Sequence, residues 1–126
     1  MQQRRLKLLL LFAATALSPS AWAASSQSWL PDRRIIDELE AAIEMPAGAR
    51  PIASYSRYYA GAQKDGRPIV HGTFVLDGLL KRPAAPINIV EEQDMPVILD
   101  GGCAIVNLQF DVQSKQVLSI FCNGEA

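Results

Sequence analysis

The stretch that most constrains the fold is the last quarter of the chain, Asp100 to Gly124, where two cysteines bracket the clearest strand pattern. Ala104, Val106, Leu108, Phe110 and Val112 alternate with Ile105, Asn107, Gln109 and Asp111. A period of two sends successive side chains to opposite faces of a strand, here one apolar and one polar. Gln113 to Gln116 connects this run to Val117–Cys122, with Leu118 and Ile120 expected in the core. The pattern predicts a terminal β-hairpin, and a Cys103–Cys122 disulfide would tie its open end. Closing that loop of about twenty residues contributes about 3 kcal/mol in the chain-entropy account. Strict alternation sends Cys103 outward and Cys122 inward. Either Gly101-Gly102 lets Cys103 leave the pattern before pairing begins, the reading we favour, or a bulge shifts the register.

Whether two thiols pair depends on compartment. Arg4, Arg5 and Lys7 precede an apolar run, Leu8 to Leu17, and Ala21-Trp22-Ala23 supplies small residues at a peptidase site. This is the three-part pattern of a secretory signal peptide, residues 1–23. Pro19 and Ser20 interrupt the run at about half of the roughly 20 residues a membrane anchor needs, and no cysteine follows it as a lipid attachment point. The expectation is export through a cleaved signal to the periplasm or the extracellular space, with no membrane span in the mature chain. An even cysteine count there favours a disulfide over a redox pair or metal ligands, since no Cys-x-x-Cys occurs and His71 is the only histidine.

Residues 24–126 then form one small mature domain, of which 24–28 is expected to be flexible. The chain carries 12 basic and 13 acidic side chains. Three basic ones leave with the signal, so the mature net charge is about −4, which argues against nucleic acid as a partner.

Trp29-Leu30-Pro31-Asp32 opens a helix, with Pro31 suited to its first turn. Ile35, Ile36, Leu39, Ala42 and Ile43 form one apolar stripe, and Met45-Pro46 ends it. Arg33, Arg34, Asp37, Glu38, Glu40 and Glu44 mostly fall off the stripe and read as a solvated face. Ile52–Ala60 predicts a strand with Tyr55, Arg57 and Tyr59 on one face and Ser54, Ser56 and Tyr58 on the other. Asp65-Gly66 signals a turn into Ile69–Asp77, which alternates Val70, Gly72, Phe74 and Leu76 with Ile69, His71, Thr73 and Val75. Ile87–Glu91 reads as a short strand, and residues 91–99 as a covering segment.

The sum is an α+β fold: one N-terminal helix packed on an antiparallel meander of about four or five strands, because the connections are too short for parallel crossovers. This element order resembles the cystatin-like and nuclear-transport-factor-like folds. No cystatin-type Gln-x-Val-x-Gly loop is present, and element order does not license a function.

His71 is the one side chain whose ordinary pKa lies near neutrality, so any general-base chemistry would lean on it; it is the weak catalytic candidate. Tyr55, Arg57, Tyr58 and Tyr59 are the binding candidates, because clustered tyrosine and arginine dominate binding hot spots. Glu91, Glu92, Asp94 and Asp100 lack the spacing of a calcium loop, so neither a metal nor another cofactor is expected. The expected function is a non-enzymatic binding or interaction module of the cell envelope or periplasm, meeting a protein or envelope component through the tyrosine strand or an exposed sheet face. The alternative is a small pocket enzyme or ligand-binding protein using His71 and nearby tyrosines.

Overall fold

A computed structural model describes residues 28–80 and 85–125. The expected signal peptide and all but the last residue of the lead 24–28 lie outside the described residues, as do residues 81–84 of one loop. Among the described residues the fold is α+β, with one α-helix, α1 (Arg33–Ala42), and five strands: β1 (Tyr55–Lys64), β2 (Arg67–Leu76), β3 (Ile87–Ile89), β4 (Ile105–Asp111) and β5 (Gln116–Cys122). The strands form one sheet in the order β3-β1-β2-β4-β5.

Three of the four pairings are antiparallel, but β3 pairs parallel with β1, Arg57 opposite Ile87 and Tyr59 opposite Ile89. The sheet is therefore mixed and not a plain meander, which corrects the antiparallel expectation. A crossover is needed between parallel strands that follow one another directly. β2 ends beside the start of β1, Leu76 opposite Tyr55. The chain need only round that end to reach the outer edge of β1, and it then runs in the direction of β1.

The helix is not N-terminal either. It starts at Arg33, and the segment before it packs on the sheet: Trp29 Nε1 donates to the Ala62 carbonyl at 3.0 Å. Asp32, not Pro31, begins the helix, its Oδ1 accepting from Ile35 N at 2.9 Å, which satisfies one amide the first turn leaves open. The helix stops at Ala42, where Ile43 is already extended.

The face of the sheet under the helix is the main core. Tyr55, Tyr59, Val70, Phe74, Val106, Leu108 and Phe110 pack there against Ile36 and Leu39. Phe74 meets Tyr59 edge-on at 5.8 Å between ring centres. Gly72 lies between Leu108 and Tyr59, where an added Cβ would stand 3.0 Å from a Leu108 methyl.

Cys103 and Cys122 form the expected disulfide. Gly101 and Gly102 both take positive φ, 98° and 55°, and Gly102–Ala104 makes one short 3-10 turn before β4 begins. Glycine adopts those angles without steric cost, and this swerve brings Cys103 to Cys122. A bulge is present as well, farther along. The register between β4 and β5 shifts at Gln109/Phe110, so Phe110 faces Val117. Val117 takes the inward place expected of Leu118, and Leu118 is turned out, 45% exposed.

Candidate functional site

Of the four residues read as a binding cluster, three lie beneath the helix. Tyr55 and Tyr59 are 1% and 0% exposed, and Arg57 is buried between them on the same face. The Tyr55 hydroxyl donates to the Cys103 carbonyl at 2.6 Å and accepts from Arg50 N at 3.1 Å, tying the loop after the helix to the disulfide turn. Arg57 Nε and the Tyr59 hydroxyl both donate to Glu40 Oε1, at 2.7 and 2.8 Å. Glu40 is thus no solvated residue. It lies four positions after Ile36, and that spacing puts both on the same side of the helix. Burial first, and then the hydrogen bond to Glu40 and its negative charge, push the Tyr59 hydroxyl far above the ordinary tyrosine range. A partner cannot reach these three side chains without moving the helix or the loop that follows it.

Tyr58 points to the opposite face, which also carries His71, Thr73, Asn107 and Gln109. Here the covering segment does its work. A 3-10 turn, Glu92–Asp94, lies beside β1 with Glu92 reaching His71 of β2, and the chain then crosses toward the end of β5. Asn123 fastens it there, its Nδ2 donating to the carbonyls of Ile98 and Asp100 at 2.7 and 2.9 Å while its Oδ1 accepts from Asn107 at 2.6 Å.

Between this strap and the strands lies a groove of about 260 Å³, lined by His71, Thr73, Glu92, Asn107, Gln109 and Phe121 among others. His71 Nδ1 stands 3.5 Å from Glu92 Oε1, with both side chains reachable by solvent. Gly72, Met95 and Leu108 complete the lining, so the groove offers amide, hydroxyl, imidazole and carboxylate groups beside a thioether and an aromatic ring. His71 and Tyr58 share the face at diagonal positions, since Tyr58 is opposite Thr73 and Ala60 opposite His71.

Phe121, Met95, Asn107 and Gln109 were not singled out in the sequence. Alternation places Asn107 and Gln109 on the polar face of β4, but nothing local reveals that a distant strap would wall that face.

A smaller depression of about 210 Å³ lies at the β1–β2 turn, beside Lys64, Arg67, Asp111 and Leu118. Two of its charges pair with each other: Arg67 Nε and Nη2 donate to the two Asp111 carboxylate oxygens at 2.8 and 3.2 Å. That hydrogen bond, aided by the amide of Ser114, holds the Asp111 carboxyl down at about 2. Among the described residues no group of three or more histidine, cysteine, aspartate or glutamate side chains is placed to hold a metal ion. No described helix is long and apolar enough to cross a membrane. Comparison with protein-family models, curated proteins and solved structures finds no match to this chain.

Proposed function

We propose that this chain is an exported, disulfide-tied binding module without catalytic duty, and that its ligand seat is the groove over His71 on the open face of the sheet. The observation that carries the reading is the groove itself, where polar groups from β2 and β4 converge with Glu92 and Met95 of the strap and Phe121 of β5. Concave sites that mix a few placed polar groups with apolar walls are the usual seats of small ligands. Export is supported by the signal-like N-terminal sequence and is compatible with the disulfide. Relative to the tyrosine strand, the binding surface moves to the other sheet face, with Tyr58 alone of the cluster near it.

A fragment screen followed by amide chemical shifts tests this reading. Hits should cluster at His71, Gly72, Asn107 and Gln109 and should vanish in a folded His71→Ala variant. If no fragment moves these amides, or if the hits ignore the substitution, the groove is not a ligand seat.

One contact favours a second reading, a small pocket enzyme with His71 as general base. A carboxylate beside one imidazole nitrogen fixes the tautomer and leaves the other nitrogen for a substrate proton, and Glu92 stands where such a group would. Under that reading a ligand found by the screen would be turned over, and His71→Gln and Glu92→Gln would each remove turnover while sparing the fold.

A further inference from the structure

The two edges of the sheet differ in how they are protected. β3 is three residues long, follows Pro86, and closes one side. β5, at the other side, is seven residues long with the sequence Gln-Val-Leu-Ser-Ile-Phe-Cys, and carries no charge and no proline. Native edges are ordinarily blunted by lysine, proline or very short strands, because an unpaired ladder recruits another strand.

The register specifies which groups are free. Asn123 N donates to the Ile105 carbonyl at 3.0 Å, and hydrogen-bonded pairs then alternate along β4 and β5. Asn107–Phe121 and Gln109–Ser119 are bonded pairs, so the backbone groups of Ile120 and Cys122 point away from the sheet. Among the described residues none of these outward groups has a partner. Leu118 and Phe121 add exposed apolar side chains on the open face, 45% and 54% exposed.

We propose that β5 is a self-association edge, pairing antiparallel with β5 of a second copy of this chain across a two-fold axis perpendicular to the sheet. An identical copy is the occupant that these features fit. It offers an edge of the same length, equally free of charge, so neither copy buries an unpaired ion. A two-fold axis in that direction keeps like faces together, so Leu118 and Phe121 of both copies meet on one side of a continuous ten-stranded sheet. Two-fold dimers with such isologous interfaces are the commonest homo-oligomers. It also places the two His71 grooves side by side, since Phe121 lines the groove and stands near the axis. The inference rests on the edge, not on the ligand-binding reading, and either can fail alone.

The test is the mass in solution of protein produced from the full-length chain, by light scattering across a concentration series up to about 100 μM, with amide exchange as a second readout. A dimer constant near 1 μM would make dimer the main species well below that limit. The expected result is twice the monomer mass, with the Ile120 and Cys122 amides more protected in the dimer than on dilution. Phe121→Lys and, separately, Leu118→Lys should weaken association about tenfold or more, because like charges meet near the axis. Far-ultraviolet circular dichroism and an intact disulfide confirm that the variants fold. A monomer at every concentration overturns the proposal. So does a dimer indifferent to both lysines, or one in which the Ile120 and Cys122 amides exchange as freely as on dilution.

Discussion

The carboxylate of Glu40 lies 2.7 Å from Arg57 Nε, an ion pair that joins the helix to β1 with both side chains largely enclosed, 20% and 10% exposed. Arg57 Nη1 is used as well, reaching the carbonyls of Ile52 and Tyr55 at 3.1 and 3.2 Å. Removing one member of such a pair leaves the other charge buried without compensation. Glu40→Ala should therefore cost about 3 kcal/mol in urea unfolding, and Arg57→Ala a similar amount. The double substitution Glu40→Met with Arg57→Met should cost less than either alanine, since it leaves no orphan charge. A double variant weaker than both singles would show that the pair is more than a structural tie.

Tyr59 makes the same network sensitive to alkali. Its hydroxyl is held well above the ordinary tyrosine range when folded, chiefly by burial, and returns to about 10 when unfolded. Above that value the unfolded chain has released a proton that the folded chain keeps, so stability falls as pH rises. The contribution is fully present below pH about 10 and declines beyond it. Urea midpoints measured between neutral pH and about 11 should drop more steeply for the native protein than for Tyr59→Phe. Equal slopes would assign the alkaline loss to other groups.

Local chemistry made some of this architecture legible in the residues alone. Asp65 and Gly66 both adopt positive φ, 51° and 76°, as a two-residue hairpin turn demands, and the β1–β2 hairpin follows from that dipeptide. The partner of β3 was not legible, because nothing in Ile87–Ile89 records that β2 finishes beside the start of β1. The bulge at Gln109/Phe110 carries no sequence mark either, so Val117 and Leu118 exchange the faces that plain alternation gives them. Alternation did place His71 on the face opposite Phe74. The wall that turns that face into a groove comes from Glu92 and Met95, some twenty residues on, and is visible only in three dimensions.

Asp111 predicts the acid limb of the stability curve. Its carboxyl is depressed to about 2, mainly by Arg67, and its Oδ1 also accepts from the amides of Gln113 and Ser114, both at 3.0 Å. A carboxyl lowered by folding stabilises above its unfolded value of about 4 and loses that contribution as pH falls toward 2. Asp111→Asn keeps an oxygen for the turn amides but cannot accept from both Arg67 nitrogens. The variant should unfold more easily at neutral pH and lose less between pH 4 and 2. Thermal melts across that range decide it, and parallel curves would rule the pair out as the acid-sensitive element.

The disulfide should be both present and consequential. Cys103 and Cys122 are separated by 19 positions, and removing the bond releases a loop whose closure contributes about 3 kcal/mol. Cys103→Ser with Cys122→Ser, or reduction, should lower stability by about that amount while leaving the helix signal in place at low temperature. Mass measurement after alkylation without reductant should find no accessible thiol. Two alkylated cysteines would contradict the bond.

Gly61 holds the segment before the helix against the sheet. A Cβ there would stand 2.2 Å from the Trp29 carbonyl oxygen and 2.5 Å from its indole ring, and the backbone oxygen cannot yield as a flexible side chain could. Gly61→Ala should therefore push Trp29 off β1, at a cost of about 1–3 kcal/mol for overpacking. Its indole N–H then loses the Ala62 carbonyl, a bond of 3.0 Å in the native fold. The indole proton resonance should shift toward its free position and exchange faster, with the amides of β4 unchanged. Trp29→Ala removes the ring but keeps the carbonyl oxygen, so adding Gly61→Ala to that background should cost less than in the native protein but still a measurable amount. An indole resonance that neither shifts nor exchanges faster in Gly61→Ala would show Trp29 still seated on β1, and the contact between these two residues would not be the constraint.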